Sequence, residues 1–381
     1  MSFGEPSNKR LSPEPIVEIE AEIGLPQWVF GMSTYGFLST HQISCAYTQN
    51  GIWHLATINL NQPKLEPHPL PFTDFGGTLK VNGDGILLTA SSPDTFSAIV
   101  FISADQLECR RAAGTAISVN TLRSSNQVRV SDRYLSTPET IEFPTEDGLT
   151  AHAFFYPPHN ADFSVSEGEK PPLIVISHGG PTGATGNGLS LHTQFWTSRG
   201  FAVLDVNYGG STGYGRDYRH RLRGKWGVVD IDDCINGAKH LIQRGRVDPD
   251  QIVIRGSSAG GYTTLSALAF RDFFKVGASY YGIGNLEALA KDTHKFESRY
   301  LDYLIGPYPE NRQTYLDRSP IHFVDQLNCP VIFFQGLEDK VVPPNQAQAM
   351  VKALDKKGLT VAHVTFLQEG HGFRKAENIK Q

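Results

Sequence analysis

The chain has 381 residues, 40% hydrophobic and 19% charged, with 37 glycines and 23 prolines, the make-up of a folded, turn-rich protein and not of a disordered or fibrous one. A formal net charge of −5 is small for this length, and no block of like charges interrupts it, which argues against nucleic acid or an anionic membrane as a partner. The length exceeds what one hydrophobic core usually serves, so two domains are expected.

Residues 1–15 carry Lys9 and Arg10 with no apolar run behind them, so they read as neither a signal peptide nor a membrane anchor, and a cytoplasmic location is the expectation. Cys45, Cys109, Cys234 and Cys329 lie far apart without a C-x-x-C pair and read as buried free thiols; a disulfide would require export. From Gln27 to Gly114, short β segments alternate with turn residues. Two units are visible, Trp28 to Leu60 and Gly76 to Gly114, each roughly the length of a four-stranded propeller blade; a small irregular β-sandwich is the alternative. Two blades cannot close a propeller. The chain is therefore expected to be part of a longer protein, or its β region to be completed by something else, because an open propeller leaves strand edges unpaired.

From Glu139 the pattern changes to strands alternating with helices, the signature of a mostly parallel sheet covered on both faces. Strands are predicted at Leu173–Ile176, Phe201–Leu204, Ile252–Ile254, Val276–Tyr280, Val331–Phe334 and Val364–Leu367. A helix is predicted from Ile231 to Gln243, where Ile231, Ile235, Ala238, Leu241 and Ile242 form an apolar stripe, and another from Gln346 to Lys357, ended by Gly358.

The third of these strands runs into Gly256-Ser257-Ser258-Ala259-Gly260-Gly261 and then a helical stretch. This is G-x-S-x-G where it has meaning: a serine on a sharp strand-to-helix turn, with glycines where a side chain would collide with the neighbouring strand or helix. Register puts Ser258, not Ser257, at its centre. A serine hydroxyl needs a base to become nucleophilic, and the base needs a carboxylate to orient it. The order expected in such folds is serine, acid, histidine. After the strand ending at Phe334 come Glu338 and Asp339; Asp339 is preferred, but spacing alone does not reject Glu338. After the last strand comes Gly370-His371-Gly372, making His371 the base. His178-Gly179-Gly180-Pro181 follows the first strand and supplies an oxyanion donor, assigned to the Gly180 N–H with Gly179 as alternative; the second donor is the Ala259 N–H. Gly209-Gly210-Ser211-Thr212-Gly213-Tyr214-Gly215 lacks the spacing of a phosphate loop and reads as structural, and no H-E-x-x-H pair supports zinc hydrolysis. Neither a cofactor nor a metal is expected.

These stretches, with Asn207-Tyr208 ahead of the glycine-rich loop and Lys340-Val341-Val342-Pro343 after Asp339, resemble the prolyl oligopeptidase family of serine peptidases, in its acylaminoacyl-peptidase and dipeptidyl-peptidase-like branch. The resemblance covers residues 139–381 and, more loosely, the β region before them. It implies an α/β-hydrolase fold with an N-terminal all-β partial β-propeller region, divided as 1–138 and 139–381, and a triad of Ser258, Asp339 and His371. It also implies that Phe296 and Val342 line an apolar pocket for the residue before the scissile bond. Few residues follow His371 where such proteins continue into a helix, so the chain is expected to be truncated at both ends and to lack its final helix. Where some relatives carry an arginine two positions after the aspartate, this chain has Val341. Hydrolysis of short peptides is the expected activity; an esterase of the same fold, or a binding protein with a vestigial triad, are the alternatives.

Overall fold

The computed structural model describes residues 14–26, 29–107, 117–166, 168–292, 295 and 297–381. Strands β1 (Tyr35–Ser39), β2 (Gln42–Gln49), β3 (Ile52–Asn59) and β4 (Leu65–His68) form a four-stranded antiparallel meander. The β2–β3 connection turns at Asn50 (φ 52°) and Gly51 (φ 77°), two adjacent left-handed residues of the kind tight hairpins require. Strand β2 is buried on both faces: Ile43, Cys45 and Tyr47 pack with Val17, Ala21 and Ile23, and Ala46 faces the second sheet. That sheet contains β5 (Asp74–Phe75), β6 (Lys80–Asn82), β7 (Gly85–Ser92), β8 (Thr95–Ser103) and β9 (Asn120–Ser124).

The blade boundaries differ from those read in the sequence. The first sheet continues past Leu60 to His68, and the second begins at Asp74 and extends beyond Gly114 to Ser124. The missed strands β4 and β9, Leu-Glu-Pro-His and Asn-Thr-Leu-Arg-Ser, are polar or proline-bearing edge strands, which carry no apolar run to detect. Gln27, Trp28 and 108–114, which the sequence reading placed within the blades, lie outside the described residues, as does Cys109; Cys45, Cys234 and Cys329 are free thiols, the first two buried.

The C-terminal α/β region is built on an eight-stranded sheet: β10 (Glu139–Pro144), β11 (Thr150–Tyr156), β12 (Leu173–Ser177), β13 (Ala202–Asn207), β14 (Ile252–Ser257), β15 (Val276–Tyr280), β16 (Val331–Gly336) and β17 (Val361–Phe366). Its order is β10-β11-β13-β12-β14-β15-β16-β17, with β10, β11 and β13 paired antiparallel and the remaining pairings parallel. This is the α/β-hydrolase sheet. Strand β17 begins three residues earlier than expected, because the polar His363 interrupts the apolar pattern although it pairs with Phe333; Leu367, expected inside the strand, is 75% exposed.

Helices α1 (Leu191–Thr197), α2 (Arg216–His220), α3 (Val229–Gln243), α4 (Ala259–Phe270), α5 (Leu286–Asp292), α6 (Tyr300–Leu304), α7 (Arg312–Asp317), α8 (Asn345–Lys357) and α9 (Ala376–Lys380) connect or flank these strands. In α3, Ile231, Ile235, Ala238 and Leu241 are buried as the stripe predicted, and α8 stops at Gly358 in the left-handed conformation (φ 81°). Helix α4 follows β14 and is buried along nearly its whole length, so its N-terminus is fixed at the C-terminal edge of the sheet.

One junction between the two regions lies on the loop after β13. The Glu22 carboxylate accepts the Gly213 N–H at 2.7 Å and pairs with Arg219, while the Gly51 N–H donates to the Gly213 carbonyl at 3.4 Å. The glycine-rich stretch 209–215 is thus a structural junction.

Candidate active site

Backbone geometry at the end of β14 creates the site. Ser258 sits at φ 55°, ψ −118°, a conformation that costs a non-glycine residue about 1–3 kcal/mol and persists only where the surroundings over-determine it. They do so here. A Cβ on Gly256 would run into the Gly260 backbone, and one on Gly260 into the Ser177 carbonyl of β12, so helix and strands approach as closely as glycine permits. The Ser258 N–H donates to the Tyr280 carbonyl of β15 at 2.9 Å, locking the turn to the sheet.

Two further loops at the same edge complete a hydrogen-bonded chain. His371 Nε2 lies 2.8 Å from Ser258 Oγ, and His371 Nδ1 lies 2.7 Å from Asp339 Oδ2. A carboxylate can only accept, so Nδ1 carries the ring proton and Nε2 is left as acceptor for the serine hydroxyl. The other Asp339 oxygen accepts the Val341 and Val342 N–H groups, both at 2.9 Å, and the side chain is wholly buried. Asp339 therefore has no freedom to turn away. Glu338, the rival that spacing left open, is exposed, and its backbone N–H donates to the Glu369 carbonyl at 2.9 Å.

The His371 loop is braced from two sides. Tyr281, itself at φ 40°, lays its ring 4.7 Å from the imidazole at 59° and meets the Phe373 ring edge-on at 5.4 Å. The Glu369 carboxylate accepts the Arg374 and Lys375 N–H groups and the Asn378 amide at 2.7–3.1 Å; the Asn378 bond foremost holds its carboxyl below the ordinary range. Neither Tyr281 nor Glu369 was singled out in the sequence, where nothing distinguishes them from ordinary loop residues.

Gly180 and Ala259 border the same recess as Ser258. Ala259 opens α4, so its N–H has no intrahelical acceptor. Gly180 takes φ 61°. Gly179, the alternative donor, is pressed against the turn instead: a Cβ there would lie 2.9 Å from the Ser257 carbonyl, and its own carbonyl faces His178 Nδ1 at 3.0 Å. His178 stacks on Tyr208 at 4.3 Å and its Nε2 meets Ser211 Oγ at 2.8 Å; burial pushes it down to about 4, so it is a neutral buttress at physiological pH.

The recess beside Ser258 is walled by Trp226, Ile283, Leu289, Leu301, Leu304 and Val342, with Glu297 and Tyr300 at its polar side. Tyr300 is held by a 2.6 Å hydrogen bond between its hydroxyl and Thr182. Val342 borders this recess; Phe296 lies outside the described residues. Trp226, Leu301 and Leu304 were missed because an apolar residue bound for a pocket looks like one bound for the core. Among the described residues no group of three or more His, Cys, Asp or Glu side chains could hold a metal ion, and no helix is long and apolar enough to cross a membrane.

The pattern of the prolyl oligopeptidase family matches residues 187–381. The chain is 31% identical over 278 residues to dipeptidyl aminopeptidase BIII of Pseudoxanthomonas mexicana, covering 71% of this chain and 40% of that protein. It is 27% identical over 358 residues to the acylamino-acid-releasing enzyme of Arabidopsis thaliana, covering 88% of this chain and 45% of that one. Among solved structures, a puromycin hydrolase superposes with a TM-score of 0.90 at 37% identity, covering 96% of this chain and 54% of its own. A puromycin-hydrolyzing peptidase of Mycobacterium tuberculosis does so with a TM-score of 0.90 at 38% identity, covering 97% and 54%. The chain spans about half the length of these relatives.

Proposed function

The chain belongs to the prolyl oligopeptidase family, and from that premise we propose that it is a serine peptidase acting on short peptides through an acyl-enzyme. One observation carries the reading: a buried carboxylate, an imidazole and a serine hydroxyl on a strained turn are linked by hydrogen bonds of 2.7 and 2.8 Å in the sense nucleophilic catalysis needs. Ser258 Oγ attacks the scissile carbonyl as its proton passes to His371 Nε2. Asp339 stabilises the imidazolium that forms. The oxyanion is received by the N–H groups of Gly180 and Ala259, donors worth about 3–4 kcal/mol each in such sites. His371 then protonates the leaving amine, and water repeats the sequence on the acyl-enzyme.

The side chain before the scissile bond enters the recess that includes Val342, which Phe296 is proposed to complete; its mostly apolar wall suits an apolar residue. The reading treats 1–138 and 139–381 as two domains, the second carrying the chemistry. Peptide and aminoacyl-amide substrates are favoured over esters by the names of the relatives, which include an aminopeptidase and puromycin hydrolases.

A fluorophosphonate probe is expected to label the protein at Ser258 and to lose all labelling in Ser258→Ala; labelling that persists in the variant removes the assignment. Turnover of peptide anilides and puromycin against p-nitrophenyl esters tests the substrate class, and turnover of esters alone would replace peptidase by esterase.

A further inference from the structure

The segment that carries Gly180 does not end at the catalytic edge. It runs on to Leu189 and reaches the N-terminal β region. Near its start, Gly180 accepts the Gly183 N–H at 2.6 Å, closing a tight turn. Its middle is tied to β13: the Thr185 N–H donates to Asn207 Oδ1 at 2.8 Å and the Thr185 hydroxyl to Asp205 Oδ2 at 2.7 Å. Its far end is held across the domain junction. Thr73 Oγ1 donates to Asn187 Oδ1 at 2.8 Å, the Leu189 N–H donates to the Ser92 carbonyl at 2.8 Å, and the Gly188 backbone faces the Asp74 carboxylate at close range.

Asp74 lies on β5, directly across from Ser91 of β7, whose hydroxyl also donates to it at 3.3 Å. The loop is shaped to receive it. A Cβ on Gly186 would lie 2.7 Å from the Asp74 carboxyl atoms, and one on Gly188 would lie 2.8 Å from its Oδ2, so two glycines let the backbone lie flat on the carboxylate. Packing covers only part of the loop, because a cavity of about 300 Å³ opens between the regions at this point, bordered by Asp74, Trp53, Gly179, Gly183, Thr185 and Gly186. With empty space on that side, directional hydrogen bonds must define where the loop sits.

We propose that Asp74 is a positioning residue for the oxyanion site: from the β region it clamps the 180–189 loop and thereby fixes the Gly180 N–H relative to Ser258. This rests on the hydrolase reading above. Asp74 touches no reacting atom, and its effect is expected in the rate of the chemical step and not in ground-state binding.

The test uses the full chain. In Asp74→Ala, hydrogen–deuterium exchange at 180–189 is expected to speed up by about tenfold while α4 and the Asp339 loop keep their protection. With a peptide anilide, kcat is expected to fall about tenfold with KM within about twofold, short of the ~10²–10³ loss when an oxyanion donor is removed outright, and a peptide aldehyde is expected to lose affinity by the same factor as kcat. Asp74→Asn, which keeps one acceptor oxygen, should fall between. Gly188→Ala, which retains Asp74 but whose Cβ would meet Ser91 Oγ and Asp74 Oδ2 and push the loop off both, should reproduce the same split and serves if Asp74→Ala does not fold. Unchanged exchange at 180–189, or a raised KM at constant kcat, overturns the proposal. Exchange is read without turnover, so failure of the clamp is distinct from failure of the hydrolase reading, which would show as absent fluorophosphonate labelling of the unmodified chain.

Discussion

The α/β region and the N-terminal β region bury their apolar residues in different ways, and the difference separates chemistry from support. In the first, strands β12 to β16 carry a continuous core that includes Val175, Leu204, Ile254 and Phe333, and the three residues assigned to catalysis project from loops at one end of β14, β16 and β17. In the second, two antiparallel sheets pack on each other through Trp53, Leu55, Leu88 and Val100, and their edge strands β4 and β9 are short and polar or proline-bearing. The β region places no described group in the Ser258–His371–Asp339 chain; it meets the α/β region at loops, at Arg219 of α2 and where Ile52 packs on the cluster of Phe154, Tyr156, Ile174 and Val203. Changes at the sheet edge should therefore alter rate, and changes at the junction should alter stability, except where a junction residue holds a catalytic loop.

The largest expected effect lies at Asp339. In Asp339→Asn, the side-chain oxygen can still accept the Val341 and Val342 N–H groups, so the fold is kept. The amide then faces His371 Nδ1 with N–H bonds and forces the wrong tautomer. A fall of about 10⁴-fold in kcat is expected, roughly 5.4 kcal/mol in the barrier, with the thermal midpoint nearly unchanged. Steady-state kinetics beside calorimetry checks both halves. Gly260→Ala is the converse within the same region, since its Cβ would be driven into the Ser177 carbonyl. A loss of about 3 kcal/mol or more in unfolding free energy is expected, measured by denaturant titration, together with loss of fluorophosphonate labelling.

Much of this was readable in the sequence because its chemistry is local. The glycines flanking Ser258 and those flanking His371 announce sharp turns at strand ends, and a turn is specified by a few adjacent residues. Strand ends were read less well where a polar residue such as His363 sits inside a parallel strand, or where an edge strand such as β9 has no apolar run. Glu338 and Asp339 were inseparable by spacing because which one turns inward is decided by hydrogen bonds to the Val341 and Val342 N–H groups. Tyr281, Trp226 and Asp74 were invisible for a deeper reason: each takes its place from contacts with residues distant in the chain, and no motif records those contacts.

A third test probes a buried carboxylate that contacts α4. Asp230 is fully buried at the start of α3, where it accepts from Thr263 of α4 at 2.5 Å and from the Gly227 N–H at 2.6 Å, and burial pushes it up to about 6. A carboxyl whose folded value lies above its unfolded one near 4 binds more protons when folded, so its contribution to stability falls as pH rises from about 4 to 6. Asn cannot ionise. Relative to the unmodified protein, Asp230→Asn should therefore gain roughly 3 kcal/mol of stability between pH 3.5 and pH 7, whatever its offset at low pH, as read from denaturant midpoints across that range.

The smallest expected effect is the one that can break the comparison between the regions. Glu22 is 7% exposed, lies before β1, exchanges backbone hydrogen bonds with Thr48 of β2, and reaches across to Arg219 and the Gly213 N–H. Glu22→Gln keeps the shape and an acceptor for Gly213 but removes the charge opposite Arg219. Because the Arg219 side chain is 28% exposed, water can recover part of its solvation, and a loss of about 1 kcal/mol is expected. If this junction only supports, kcat stays within about twofold and the loss appears in denaturant unfolding and in faster proteolysis near residue 22. The Thr212 N–H donates to the Gly183 carbonyl at 2.9 Å, so a route from this contact to the oxyanion loop exists. A clear fall in kcat for Glu22→Gln would mean that both junction contacts, and not Asp74 alone, set the geometry at Ser258, and the separation of chemistry from support would no longer hold.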